Sequence, residues 1–289
     1  MTCYNAASTI EESVRSALAQ TFTDFELVLV DNCSTDESIS IVRRLADPRI
    51  RIIALEKNHG RTPALNIALN NARGKYIAIL DTDDTSTADR FHLQVDCLDQ
   101  KSELVLVASW YRNVDSSGKL INEVKTPTKH LEIIRQLVFD NPIVNSSTMF
   151  RLSSAQNVGG YNQQFLYAQD FALWLELAHI GRMHIISQFL TDIRRINNSL
   201  SSIASYELSR LNEGYILYKR AQGLDGLRLI DKLRGQRTIG LYGLLYAWRS
   251  LRAGKIVRAV GLTITNFWAI PIALFELLRK GLKFFKPIK

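Results

Sequence analysis

The sequence is poor in the residues that build disulfide or zinc scaffolds. It holds three cysteines, Cys3, Cys33 and Cys97, and five histidines among 289 residues. The cysteines are odd in number and widely spaced, which excludes a disulfide framework and fits a reducing compartment. So few histidines, with no cysteine pair beside them, give no zinc site, and His59 and His179 read as incidental. The first residues are polar, unlike the apolar core of a signal peptide. Nothing in the first two thirds resembles a nucleic-acid module, and no glycine-rich phosphate loop stands near the N-terminus. In the tail, the uncharged span Ala259 to Phe275 has seventeen residues, the lower limit for crossing a bilayer. Gly261, Thr263, Thr265, Asn266 and Pro271 weaken it further.

What is present is an apolar fraction of 46%, ample for a core, in a chain long enough for one large domain or a domain plus an appendage. The formal charge is +8. Acids and bases roughly balance from Met1 to Ser199, so the excess lies in the C-terminal tail. Such asymmetry points to an anionic surface, and without a nucleic-acid module that surface is a membrane.

The chain is organised around Asp81-Thr82-Asp83-Asp84, three carboxylates in four positions. They follow Tyr76-Ile77-Ala78-Ile79-Leu80, a continuous apolar run of the kind buried on both faces of a parallel sheet. Ligands of open α/β sheets bind at the carboxyl ends of the strands. Crowded carboxylates raise one another's pKa unless a cation neutralises them. Hard oxygen ligands suit Mg²⁺ or Mn²⁺ bridging to a phosphate. The plainer alternative is an acidic turn ahead of a helix capped by Thr85, Ser86 or Thr87.

In order, the pattern predicts a helix capped by Ser8 or Thr9 with a stripe of Ile10, Val14, Ala17 and Leu18. A buried strand over Phe25–Val30, a helix capped by Ser34 or Asp36, and a strand over Ile50–Leu55 follow. A helix from about Pro63 to Ala72 leads to the Tyr76–Leu80 strand. This is the grammar of a doubly wound parallel sheet. No strand is expected ahead of the first helix. Beyond Asp84 the pattern predicts a helix over Asp89–Leu98, strands over Leu104–Trp110, Thr148–Phe150 and Met183–Leu190, and helices over Leu131–Phe139 and from Gln169. Gly159-Gly160-Tyr161 reads as a sharp turn, Trp174 as core, and Asn197–Ser202 as a boundary loop.

An ordered series of motifs resembles family 2 glycosyltransferases. It comprises Tyr4-Asn5, Gln20 to Leu27, Val30 to Asp36, Asn58-His59-Gly60, Ala64 with Asn66, Leu80 to Asp84, Gly159-Gly160-Tyr161, Gln169-Asp170 and Leu173-Trp174-Leu175. The resemblance covers about residues 1–200. It implies an α/β chain of GT-A fold: a Rossmann-like, mostly parallel sheet with flanking helices, here with a helical basic extension over 201–289. It also implies an inverting, metal-dependent, hexosyltransferase-type enzyme. Its donor would be a nucleotide-diphosphate sugar, and its acceptor a sugar or lipid-linked sugar in surface polysaccharide or glycolipid synthesis. By the resemblance, Thr2 and Tyr4 line the nucleotide base and Asp31 and Asn32 contact it. Asn58 and Gly60 belong to the donor site. Asp81 holds the ribose, Asp83 and Asp84 hold Mg²⁺ or Mn²⁺, and Asp170 is the catalytic base. On the residues alone, Asp170 could cap a helix, Asp31 could start a turn, and Asn58 to Gly60 could be only a turn.

The chain departs from the family pattern in four places. The strand normally ahead of Thr2-Cys3-Tyr4-Asn5 is missing, which leads us to expect a misassigned start or a truncated copy. Asn32 replaces a second acid, and Gln169 replaces a glutamate, which should ease ionisation of Asp170. Asn197 stands where many members carry a histidine, with Arg194 or Arg195 as candidate phosphate clamps. The basic, aromatic run from Arg279 to Lys286 reads as an interfacial anchor. The expected place is the cytoplasm, peripheral at the inner face of the plasma membrane. Two rivals remain on the sequence: a nucleotidyltransferase, which lacks its phosphate loop here, and a non-catalytic or decayed nucleotide-sugar binder.

Overall fold

The structure is a computed structural model that describes residues 1–195 and 207–270. The expected loop at Asn197–Ser202, the Asn197 position and the run from Arg279 to Lys286 lie outside the described residues.

The N-terminal half alternates strands and helices. These are β1 (Thr2–Cys3), α1 (Ile10–Leu18), β2 (Leu27–Asp31), α2 (Ser38–Arg44), β3 (Ile50–Ala54) and α3 (Arg61–Asn71). The strands form a parallel sheet in the order β1-β2-β3, with Thr2 opposite Val30 and Leu27–Asp31 opposite Ile50–Ala54. On α1, Ile10, Val14 and Ala17 recur at helical spacing and are all buried. Glu11 and Glu12 in its first turn suit the positive end of the helix dipole. Asp36 Oδ1 accepts the Ser38 N–H at 3.0 Å at the start of α2.

The absence of a strand ahead of α1 is corrected. Thr2 and Cys3 pair with Val30 and Asp31, and the Met1 ammonium donates to the Val28 carbonyl at 2.9 Å. Two residues carry no readable periodicity, so their pairing is decided by β2 alone. Burial lowers the pKa of the Met1 amine to about 6.

The second sheet is mixed. Its elements are β4 (Tyr76–Ala78), β5 (Thr85–Ser86), α4 (Arg90–Gln100), β6 (Leu104–Val114), β7 (Leu120–Val124), α5 (His130–Leu137), β8 (Met149–Arg151), α6 (Leu152–Asn157), α7 (Gln169–Ile180) and β9 (Arg182–Arg194). The order is β4-β8-β6-β9-β5, with β7 on β6. The long β6 and β9 run parallel, whereas β4 is antiparallel to β8. The single parallel sheet expected of the strands over Phe25–Val30, Ile50–Leu55 and Tyr76–Leu80 therefore divides. Among the described residues β4 pairs only with β8. Between the two sheets lies a cavity of about 750 Å³, lined among others by Thr2, Leu27, Val28, Ile77, Leu80 and Asp81. The two residues of β1 are too short to bridge the gap.

Helix α7 is apolar on nearly every side, with Phe171, Leu173, Trp174, Leu175 and Leu177 buried. Trp174 is core, as expected, and meets Phe150 edge-on at 5.9 Å. Among the described residues three further α-helices follow, α8 (Glu207–Ala221), α9 (Leu229–Arg252) and α10 (Ile256–Asn266). Leu217, Tyr218 and Ala221 of α8 enter the same core as α7, with Tyr218 against Phe171 at 5.4 Å between ring centres. Among the described residues no helix is long and apolar enough to cross a membrane.

Candidate active site

The acidic cluster emerges beyond β4 onto a fixed platform. Buried Arg90 donates through Nη2 to the carbonyls of Ile79 (2.8 Å) and Thr148 (2.9 Å), and through Nη1 to Ser86 Oγ (2.9 Å). It thus clamps the end of β4 to α4 and to the Asn145–Ser147 turn. Ser146 Oγ accepts the Asp81 N–H at 3.1 Å and donates to Asp84 Oδ2 at 2.5 Å. Asp84 Oδ1 accepts the Arg194 N–H at 2.9 Å. Arg194 also donates to the Asp83 carbonyl and pairs with Glu12 at 2.5 Å. It is therefore committed to holding the loop.

The charges of this loop are poorly balanced. Burial, then Asp81, raises the Asp83 carboxyl above its usual range. Burial, then Asp81 and Asp83, raises Asp84 to about 8. The direct cationic partner is Arg61, whose Nη2 lies 2.7 and 2.6 Å from the two oxygens of Asp81. Surplus carboxylate charge and hard oxygen donors fit a divalent cation. Among the described residues no three His, Cys, Asp or Glu side chains converge as a metal cage. Mg²⁺ sites commonly use one or two carboxylates completed by phosphate oxygens and water, and Asp83 fits that role. Asp84 is 5% exposed with both oxygens already engaged.

A second group forms where β2 ends. Asn32 donates through Nδ2 to Asn58 Oδ1 at 2.9 Å and accepts the His59 N–H at Oδ1, also at 2.9 Å. Asn58 Oδ1 takes the Gly60 N–H as well, at 2.8 Å. Gly60 has φ of +85°, a conformation costly for any residue with a Cβ, and it turns the chain into α3. Asn32 therefore works as donor and acceptor at once, which an aspartate could not do. Asp31 Oδ1 accepts the Ser34 N–H at 3.0 Å, the turn-starting bond expected of it. Tyr4 is exposed just after β1, and Thr2 lines the inter-sheet cavity with Asp81.

Asp170 sits in the first turn of α7, past the capping position, which Ala168 occupies. Its Oδ1 accepts the neighbouring Phe171 N–H at 2.7 Å. Burial raises its pKa to about 6, against the pull of the Arg61 guanidinium and with a smaller push from Asp81. Arg61 in turn is held protonated chiefly by Asp81, then by Asp170 and Asp83. The structure thus gathers Asp81, Asp83 and Asp170 around one arginine. Sequence reasoning missed Arg61, and also Asn145 and Ser146, which reach the acids from more than sixty positions away. A lone arginine after a glycine carries no motif of its own.

A parallel α/β half joined to a mixed sheet, with an acidic loop leaving β4, defines a glycosyltransferase of the GT-A fold. The family model for Glycosyl transferase family 2 matches residues 1–156, and the chain belongs to that family. It is 31% identical to an uncharacterised glycosyltransferase of Methanocaldococcus jannaschii, covering 69% of this chain and 71% of that one. It is 30% identical to the putative teichuronic acid biosynthesis glycosyltransferase TuaG of Bacillus subtilis, over 69% and 79%. It spans only 30% of the Escherichia coli chondroitin synthase, at 30% identity over 72% of this chain. Among solved structures, S. aureus TarS 1-349 in complex with UDP-GlcNAc is similar with a TM-score of 0.64 and 18% identity, over 83% of this chain and 69% of that one. A Pyrobaculum calidifontis mannosyltransferase in complex with GDP-Man and Mn²⁺ gives 0.61 and 20%, over 99% and 79%.

Proposed function

We propose that the protein is an inverting, metal-dependent hexosyltransferase that moves a sugar from a nucleotide-diphosphate sugar to an acceptor hydroxyl. The observation that carries this reading is Asp170, recessed, tuned to about pH 6 and electrostatically joined to Asp81 through Arg61. A base poised near working pH and one displacement are what inversion requires. The acceptor oxygen attacks the anomeric carbon, the bond to the diphosphate breaks with its electron pair, and the acceptor proton passes to Asp170. A single displacement needs no carboxylate nucleophile.

The other residues serve the donor. Asp81 takes the ribose, and Thr2, Tyr4, Asp31 and Asn32 surround the base. Gly60, with no Cβ, lets the backbone that follows Asn58 approach the diphosphate. Asp83, with Asp84 behind it, would hold Mg²⁺ or Mn²⁺, which when bound would supply charge relief to the leaving diphosphate. Relatives named for teichuronic acid and chondroitin synthesis support a sugar acceptor in polysaccharide synthesis. Exposed Ile264 and Phe267 inside the tail, 259–289, and exposed Ile256 and Val257 just ahead of it, support a tail that meets the inner face of the plasma membrane. Among the described residues, the inter-sheet cavity beside Thr2 and Asp81 is a feature that favours the second reading, a binder without turnover.

The test is a panel of UDP- and GDP-sugars with Mn²⁺, scored as release of the nucleoside diphosphate. One donor is expected to turn over, and Asp170→Asn to lose at least about a hundredfold in rate, as for removal of a general base. Donor binding without turnover by the native chain would favour the binder.

A further inference from the structure

Three consecutive backbone amides just ahead of α7 converge on one carboxylate. Leu166 N–H donates to Glu213 Oε1, and Tyr167 N–H and Ala168 N–H donate to Oε2, each at 2.9 Å. Glu213 lies on α8, more than forty positions further along the chain, and is 5% exposed. A buried carboxylate is costly unless its oxygens are satisfied. Here the donors are backbone amides fanned like an anion nest, with the anion supplied by the protein itself.

The same segment is tied from the opposite side. The Phe165 carbonyl accepts Thr62 Oγ1 at 2.8 Å. Asn66 accepts the Tyr161 N–H at 2.8 Å and donates to the Tyr161 carbonyl at 2.7 Å. Thr62 and Asn66 belong to α3, the helix that begins with Arg61. Residues 161–168 are therefore strung between α3 and α8, and they deliver the chain directly into Gln169 and Asp170.

We propose that Glu213 is a positioning residue for Asp170. By gripping the three amides, α8 fixes the first turn of α7, and with it the distance of the Asp170 carboxylate from Arg61 and from the incoming acceptor. The proposal rests on the reading of Asp170 as the base. It makes α8 a working part of the catalytic unit. Leu217, Tyr218 and Ala221 anchor α8 in the core independently of Glu213, so a change at Glu213 loosens the loop without removing the helix.

Glu213→Gln is the test variant, since it exchanges one accepting oxygen for a donating NH₂ that opposes the amides. Two measurements on the full chain read the result, and neither needs a ligand. In amide hydrogen exchange, residues 166–168 are expected to be protected in the native protein. In the variant they should exchange about tenfold faster or more, the equivalent of losing a bond to a charged acceptor. In a carboxyl ¹³C titration, with the signal assigned through Asp170→Asn, Asp170 is expected to move toward the ordinary carboxylate range as water enters. The groups facing it are Arg61 on α3, Asp81 beyond β4, and Tyr161 on the tied segment. An unchanged Asp170 titration in a folded variant overturns the proposal. So does free exchange of residues 166–168 in the native protein, which also decides the matter if the variant does not fold. If Asp170→Asn keeps full transfer, the base reading itself has failed, whatever Glu213→Gln does. If Asp170→Asn is inactive and Glu213→Gln is indistinguishable from native, only the Glu213 assignment falls.

Discussion

Arg61 places one nitrogen between both carboxylate oxygens of Asp81, at 2.7 and 2.6 Å. It also lowers the pKa of Asp170. Replacing it as Arg61→Gln frees Asp81 and withdraws positive charge from Asp170. The acid limb of kcat/KM should then move to higher pH, because the base is protonated over a wider range. A pH–rate profile with its limb unmoved would show that Arg61 does not act on Asp170.

Asp170 also affects stability. Its folded pKa of about 6 lies above the ordinary 3.8, so the folded state holds the proton more tightly than the unfolded one. The penalty for ionising it grows as pH rises from about 4 to about 6 and is constant above that. At about 1.4 kcal/mol per pKa unit it amounts to about 2–3 kcal/mol. Asp170→Asn should therefore be more stable than the native protein at pH 8, with the advantage vanishing near pH 4. Denaturant unfolding at the two pH values measures this, and an equal gain at both would point to packing instead.

Metal dependence is expected to pass through Asp83. A ligand at a hundred times its Kd adds about 2.7 kcal/mol of stability. UDP or GDP should give such a stabilisation to the native chain only when Mn²⁺ is present, and Asp83→Ala should lose the metal-dependent part. Thermal shifts with and without EDTA read it, and an unchanged response in the variant would remove Asp83 from the metal site.

Asn32→Asp restores the acid expected at that position, yet the structure speaks against it. The introduced carboxylate could still accept the His59 N–H, but it would face Asn58 Oδ1 with an oxygen. Rotating the Asn58 amide would then forfeit the Gly60 N–H. The cost should be about 1–3 kcal/mol, that of one unsatisfied buried group. A Tm equal to that of the native chain would show that the loop rearranges freely.

Much of this architecture was legible in order along the chain. The apolar run at Leu27–Val30 announced a buried strand because a strand covered on both faces has no polar side to alternate with, whereas the run at Tyr76–Leu80 gave only the half-buried strand Tyr76–Ala78, antiparallel to β8. Ile10, Val14 and Ala17 announced α1 by their spacing. Gly60 marked a backbone turn, and the crowding of Asp81, Asp83 and Asp84 marked a charge problem that needed a cation. The ordered series of motifs is enough by itself to mark the family.

The rest depended on distance in space. No local pattern tells that two residues, Thr2 and Cys3, form a strand, because such pairing belongs to the partner β2. The parting of the sheet between β1 and β4 is likewise a matter of which edges meet. The sequence by itself determined most of the element types, their order and the acids that are candidates for the chemistry, since each is written in contiguous spacing. Only the tertiary structure decided that Arg61 neutralises Asp81, that Ser146 and Arg194 occupy Asp84, and that Glu213 grips the approach to Asp170. Those partners come from remote positions, and hydrogen bonds and charges act through a few ångströms of space whatever their separation along the chain.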